Sequence, residues 1–187
     1  VFYKHFNDPI EQVLRPGSNL IYNYENADNA TSYGVEAEVR KSLENVSSRF
    51  LNKLSFVFNG ALIKSDIKLP ERLDNLEQNR AMQGQSPYVA NSSVYYNNYE
   101  SGLQVSAQYN VFGKRIFAVG DKDANATQYE MPRHQIDLTI SQRLSKHFEL
   151  KFGIQDILNQ KYRLIQDSNR DKKITGVDES IQTYRWG

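Results

Sequence analysis

The sequence predicts an all-β fold, an antiparallel up-and-down transmembrane β-barrel segment of about eight strands, with long extracellular loops and short periplasmic turns. Three observations predict it. From Tyr33 to Leu43 the odd positions carry Tyr33, Val35, Ala37, Val39 and Leu43, with Lys41 the exception, and the even positions carry Gly34, Glu36, Glu38, Arg40 and Ser42. Successive strand side chains point to opposite faces, so this stretch has one apolar and one charged face, whereas a helix would set Glu36 and Arg40 beside Val39. The links between such stretches alternate short and long, which gathers every long loop at one end of the sheet, as in membrane barrels. The strands starting near 33, 102, 133 and 147 also reach the roughly 9 to 11 residues that cross hydrocarbon at a tilt, against about 5 or 6 in ordinary globular strands.

Taken in order, Val1 to Phe6 reads as the end of a strand. Asp8-Pro9 and Arg15-Pro16-Gly17-Ser18-Asn19 mark turns, and Leu20 to Tyr24 leads toward the strand at 33–43. After the polar link Glu44 to Ser48, Leu54 to Ser65 is a strand with Leu54, Phe56, Phe58 and Leu62 on one face, although Val57 and Ile63 fall on its polar side. Asp66 to Pro87, with Pro70, Gly84 and Pro87, reads as a long loop with room for a short helix at Glu71 to Arg80. Tyr88 to Tyr96 is a strand, Asn97 to Ser101 a short link, and Leu103 to Val111 the cleanest alternation in the chain. Gly113 is expected to bend it before Ile116 to Val119. Gly120 to Met131 reads as a loop, and Pro132 suits the outer end of the strand carrying Ile136, Leu138, Ile140 and Leu144. Beyond Ser145-Lys146, Phe148, Leu150, Phe152 and Ile154 alternate with polar residues, and Ile157 to Ile165 extends the same strand. A polar loop, Gln166 to Ser180, leads to a last strand at 181–187.

Composition narrows the function classes. A net charge of +1 over 187 residues carries no basic footprint, so no nucleic-acid partner is expected. No run of apolar residues is long enough for a membrane-spanning helix, and the first residues lack a signal peptide's charged start and apolar core. The absence of cysteine removes disulfide and thiolate chemistry. Twelve Tyr and nine Phe in a chain only 39% apolar suit strands that are apolar on one face.

Strand pattern alone does not say which face meets solvent. In a soluble β-sandwich or lipocalin-like barrel the apolar face packs inward; in a membrane barrel it meets lipid. A small eight-stranded outer-membrane barrel acting as anchor or adhesin shares the second arrangement. The alternatives differ in where Val35, Val39, Leu103, Val105, Leu138, Ile140, Leu150 and Phe152 point. Aromatic placement favours two interfacial bands: Phe50, Tyr99 and Phe148 beside the short turns, Tyr88, Phe117, Tyr162 and Trp186 toward the long loops.

Residues 30–40, Gln83-Gly84-Gln85-Ser86-Pro87-Tyr88, Tyr109 to Ile116 and Phe152 to Tyr162 together resemble, in order, the C-terminal barrel of TonB-dependent outer-membrane receptors, particularly those of Bacteroidetes. The resemblance implies that residues 1–187 are the C-terminal portion of such a barrel, the plug domain and N-terminal strands lying outside this chain, since such barrels have about 22 strands and a plugged lumen. It implies an outer-membrane location and import of an extracellular siderophore, cobalamin, glycan or peptide. The implied partners are that ligand, TonB acting through the missing plug region, and outer-membrane lipid and lipopolysaccharide.

One loop has metal-ligand spacing. Asp167, Asn169, Asp171 and Asp178 put oxygens at relative positions 1, 3, 5 and 12, as in a calcium-binding EF-hand loop. Two features oppose it: position 6 is Lys172 instead of Gly, and Arg170, Lys172 and Lys173 add positive charge. The bland alternative is a solvated loop with a type I or Asx turn. No other cofactor is expected. Glu36, Glu38 and Arg40 could meet a ligand or pair across strands with a neighbour such as Arg143. Lys114 and Arg115 could attract an anionic ligand or a lipopolysaccharide phosphate. No enzyme is expected: His5, His134 and His147 lack a motif, and Asp137 or Ser141 is a poor partner for His134.

Overall fold

The structure, a computed structural model, describes residues 1–14, 21–176 and 178–184, with residues 179–182 and 184 by their backbone alone. The expected turn at Arg15 to Asn19, and Trp186 of the expected upper aromatic band, lie outside the described residues. Among the described residues thirteen strands follow one another: β1 (Phe2–Asn7), β2 (Ile10–Leu14), β3 (Tyr22–Asn26), β4 (Asn29–Ser42), β5 (Leu54–Lys68), β6 (Tyr88–Asn98), β7 (Leu103–Phe112), β8 (Arg115–Ala118), β9 (Gln128–Glu130), β10 (His134–Arg143), β11 (Glu149–Ile154), β12 (Tyr162–Gln166) and β13 (Glu179–Tyr184). A seven-stranded wall has the order β1-β4-β5-β6-β7-β10-β11, a four-stranded sheet the order β13-β12-β9-β8, and β2 pairs with β3. All the registered pairs are antiparallel.

The eight expected passages survive, but most are broken at the long-loop end of the wall. β1 continues into β2 and β3 into β4, so the β2–β3 hairpin prolongs the β1–β4 pair. Similarly β7 continues into β8, β9 into β10, and β11 into β12. The smaller sheet thus keeps the wall's order of passages beyond a line of bends. Three of these bends have a local cause. Asp8 sits at φ 49° before Pro9, which has no N–H to give the ladder. At Gly113 a Cβ would lie 2.9 Å from both Pro87 and the Tyr88 ring, so a side chain there would push the wall apart. Between β11 and β12, Asp156 (φ 49°) and Asn159 (φ 42°) take left-handed conformations, and the strand expected from Ile157 resumes only at Tyr162. The stretch read as loop from Gly120 to Met131 also holds β9.

Register settles the faces. Val35 opposes Leu62, Val39 opposes Phe58, and Phe56 opposes Val94. Tyr96 opposes Val105, Val105 opposes Ile140, and Ile140 opposes Phe152. One continuous apolar face therefore runs from β4 to β11. Val35 is 54% exposed, Val39 60%, Leu150 63% and Phe152 60%. Leu103, Val105 and Leu138 are half-buried, and Ile140 is exposed. The packed apolar interior of a soluble barrel is not what this wall has. Tyr88 to Tyr96 spans about 27 Å along β6 at roughly 3.3–3.4 Å per residue, enough for the apolar band of a tilted membrane strand.

The opposite face carries Glu36, Glu38, Asn59, Asn91, Ser93, Gln108, Asn110, Asp137 and Lys151 by the same registers. Asn110 donates to Asn91 and Asn91 to Asn59 (2.7 Å), an amide ladder across three strands. Val57 and Ile63 do lie on this polar face, as their parity requires.

Among the long loops, Val13, Leu73, Leu76, Ile116, Val119 and Tyr129 cluster as a buried apolar core. The helix expected at Glu71 to Arg80 is a single 3-10 turn, Glu71–Leu73. Beyond it the carbonyls of Leu76 and Glu77 accept from the side chains of Gln78 and Arg80, the Leu73 carbonyl is shared between Leu76 N–H and the Gln78 side chain, and Asn79 leaves at φ 52°. The lower aromatic band is where the sequence places it: Phe50, Tyr99 and Phe148 are exposed beside the short turns. The upper band is met in part: Tyr88 stands exposed as expected, while Tyr162 is half-buried in β12. Phe117 packs edge-on to Tyr22 among the loops, and Tyr3, Tyr33 and Tyr88 are the exposed tyrosines near the upper end of the apolar face.

Candidate functional site

The long loops form one packed cap joined to the polar face of the wall. Its centre is an ion pair between Glu11 and Arg80, 2.6 Å apart, with side chains 5% and 2% exposed. Glu11 accepts twice from the guanidinium and once from the Gln83 backbone N–H (2.9 Å). Gln83 accepts in turn from the Gln12 backbone N–H and donates its amide to the Phe117 carbonyl. Val13 and Val119 form a parallel bridge beside it, with Leu14 N–H to Val119 O at 2.8 Å and Val119 N–H to Gln12 O at 3.0 Å.

The Gln83 to Tyr88 block acts as a strap under this cap. Gly84, at φ 74°, donates its N–H to Ile116 O, and Ser86 donates its hydroxyl to Gly113 O. Ile63 N–H reaches Pro87 O, and Met82 N–H reaches the Ser65 hydroxyl on the polar face. The strap thus joins β5 to the β7–β8 bend and lays the cap over the side carrying Glu36 and the amide ladder. Sequence reading missed Glu11, Arg80 and Gln83, because the partners stand 69 to 72 residues apart; the Gln83 to Tyr88 block was the available signal.

Polar groups inside the cap are shifted by their surroundings. Burial, then the Glu77 and Asp167 charges, push the Tyr129 hydroxyl up against a smaller opposing effect of Arg80. Burial alone would raise the Asp121 carboxyl. The backbone N–H groups of Ala124, Asp123 and Asn125, with the Arg170 charge, outweigh it and hold Asp121 below the usual carboxylate range.

The four candidate metal ligands lie together in the β12–β13 loop. Asp167 is buried; its Oδ2 accepts from Lys172 N (2.8 Å) and its Oδ1 has no hydrogen-bond partner. Asn169 Oδ1 accepts from Asp171 N (3.2 Å), and Asp171 Oδ1 accepts from Lys173 N (2.7 Å). Asp178 accepts from Ser168 N (3.1 Å) and Thr175 N (2.5 Å). Among the described residues, no three His, Cys, Asp or Glu side chains converge as a formed metal centre.

Arg40 pairs with Glu38 along its own strand at 2.5 Å, and both are exposed. Arg143 is not its neighbour, because β5, β6 and β7 stand between β4 and β10. Lys114 donates to Lys172 O (2.7 Å) and lies over the Tyr129 ring, while Arg115 pairs with Glu130 (2.7 Å) over Phe112. Both cations brace the cap. His134 Nδ1 meets the Tyr109 hydroxyl at 2.6 Å on the apolar side, whereas Asp137 and Ser141 lie on the polar side, so no catalytic pairing forms there.

A protein-family profile described as "TonB dependent receptor-like, beta-barrel" matches residues 1–157. No curated protein sequence matches. Among solved structures, the ferric yersiniabactin uptake receptor FyuA from Yersinia pestis superposes with a TM-score of 0.57 at 20% identity, over 87% of this chain and 23% of that one. This chain therefore spans about a quarter of that receptor's length, and the likeness is one of fold.

Proposed function

The chain belongs to the TonB-dependent receptor-like β-barrel family, and from that premise we propose that it forms wall and outer-loop cap of an outer-membrane receptor importing an extracellular ligand with energy passed through TonB. The observation that carries this reading is the division of faces: a continuous exposed apolar face on one side of the wall, and a polar face roofed by the cap on the other. A contiguous apolar surface of this extent has no place in water and suits lipid. TonB and plug act through parts of the receptor outside this chain.

The ligand classes are a siderophore, cobalamin, a glycan or a peptide. The receptor of similar fold takes up ferric yersiniabactin, and on that likeness we favour an iron-chelate ligand, the first of these classes. The Bacteroidetes affiliation rests on the sequence blocks at 30–40, 83–88, 109–116 and 152–162. Lipid meets the apolar face, and lipopolysaccharide surrounds its upper rim.

The test is uptake by cells carrying the full receptor, using iron-55 siderophore complexes and cobalt-57 cobalamin, with and without TonB. TonB-dependent uptake of one probe, lost when residues 69–87 are replaced by a short Gly-Ser linker while the barrel still inserts, is expected. Probe accumulation that is the same in cells lacking TonB would overturn the transport reading.

A further inference from the structure

We propose that the β12–β13 loop, Asp167 to Asp178, is a calcium site, with Asp167, Asn169, Asp171, the Lys173 carbonyl, Thr175 and Asp178 at relative positions 1, 3, 5, 7, 9 and 12. Calcium takes six to eight oxygen ligands, and this spacing wraps a twelve-residue loop around it. The sequence supplies the oxygens; two features of the fold supply what the sequence lacks.

The first is conformation at position 6. That place needs a sharp turn, which is why Gly usually occupies it. Lys172 nevertheless takes φ 63° and donates its N–H to the Asp167 carboxylate at 2.8 Å, so the turn is made without glycine. The second is charge. The Lys172 ammonium is drawn out of the loop, to Asn79 O (3.2 Å) and Glu77 (3.6 Å), and the Arg170 charge bears on Asp121. Of the three cations that argue against a divalent ion, two serve neighbouring acids.

An independent observation points to a ligand. Asp167 is 2% exposed, and its Oδ1 is buried with no hydrogen-bond partner. A carboxylate oxygen in that position costs free energy unless something positive meets it. Its other oxygen is tied to Lys172 N, which fixes the carboxylate at the start of the twelve-residue turn. The Asp171 and Asp178 carboxylates are held on backbone N–H groups of the same loop and, among the described residues, do not converge with Asp167; bringing the three together takes a cation to offset their repulsion. With Asp in place of Glu at position 12 and Lys173 nearby, the affinity expected is that of weak extracellular calcium modules, a Kd on the order of 10⁻⁴–10⁻³ M. Because Lys172 also holds Asn79 and receives Lys114 on its carbonyl, an ion here fastens the loop to the cap.

The experiment is titration of the full-length receptor in detergent with CaCl2, and with MgCl2 for comparison, read by calorimetry and by hydrogen exchange of 167–176. Calcium is expected to release or absorb heat and to slow exchange there, with Asp167→Asn and Asp171→Asn each weakening binding about ten-fold or more, since ligand charge sets affinity. Asp171 is exposed, so its variant keeps the test valid if Asp167→Asn fails to fold. Lys172→Gly is expected to tighten binding several-fold, an effect a purely structural Asp167 would not produce. No heat and no change in exchange up to about 10 mM CaCl2, or an unchanged response in Asp171→Asn, would overturn the proposal.

Discussion

At the scale of single residues, the cap is sensitive where backbone geometry leaves no slack. A Cβ at Gly120 would lie 2.3 Å from Asn125 O and 2.4 Å from Thr127 N, both backbone atoms that cannot step aside. Gly120→Ala is therefore expected to cost about 1–3 kcal/mol, the range of overpacking in a close-packed interior, measured as faster hydrogen exchange over 119–127 with the wall unchanged. Asp121, next in the chain, gives a pH dependence. Its folded pKa lies below the unfolded value, so its stabilisation is present above the ordinary carboxylate range and lost as pH falls through the depressed pKa. Exchange of Asp123, Ala124 and Asn125 should stay slow at a pH where exposed carboxylates are half protonated and rise only below it. Asp121→Asn should move that acid limb; a limb that stays put would assign it to another group.

Between elements, the Glu11–Arg80 pair decides whether the loops behave as one body. Removing one partner of a buried pair leaves an uncompensated charge and typically costs about 3–5 kcal/mol, whereas replacing both by apolar residues of similar size is often neutral. Arg80→Ala should open the contact of the β2–β3 hairpin with β8, while Glu11→Met with Arg80→Met should keep it closed; exchange at Leu14 and Val119 reads the difference. If Arg80→Ala leaves both amides as slow as before, the valines and Gln83 hold the cap without the pair. This is also where the sequence stopped being legible. Period-two runs located the wall because they are local, as at Tyr33 to Leu43. The pairing of Glu11 with Arg80 has no local trace, and the bends at Asp8, Gly113 and Asp156 split passages that parity alone reads as continuous. The candidate calcium loop was legible in its oxygens but not in its favourable features, since the φ of Lys172 and the outward reach of its ammonium belong to the fold.

For the whole molecule, the question is which face meets lipid, and Phe58 decides it most cleanly. Leu62 opposes Tyr88 and Leu54 opposes Tyr96, so Phe58 stands midway between the two ends of the apolar face on β5. Its ring also lies over Gly60, where an added Cβ would meet it at 3.3 Å. Asn59, one residue on, faces the amide ladder on the other side. In lipid, an arginine at the bilayer midplane of a barrel costs about 2–4 kcal/mol, while a lumen-facing substitution costs much less. Phe58→Arg should therefore lower the stability of the full receptor folded in vesicles by that amount and slow its insertion, with Asn59→Arg closer to neutral. This chain has no cysteine, so with any cysteine elsewhere in the receptor replaced, Phe58→Cys and Asn59→Cys each carry a single fluorophore. Brominated lipid should quench the first and leave the second bright. The reverse pattern would place the apolar face inward and remove the membrane assignment, since the two residues differ only in which side of one strand they occupy.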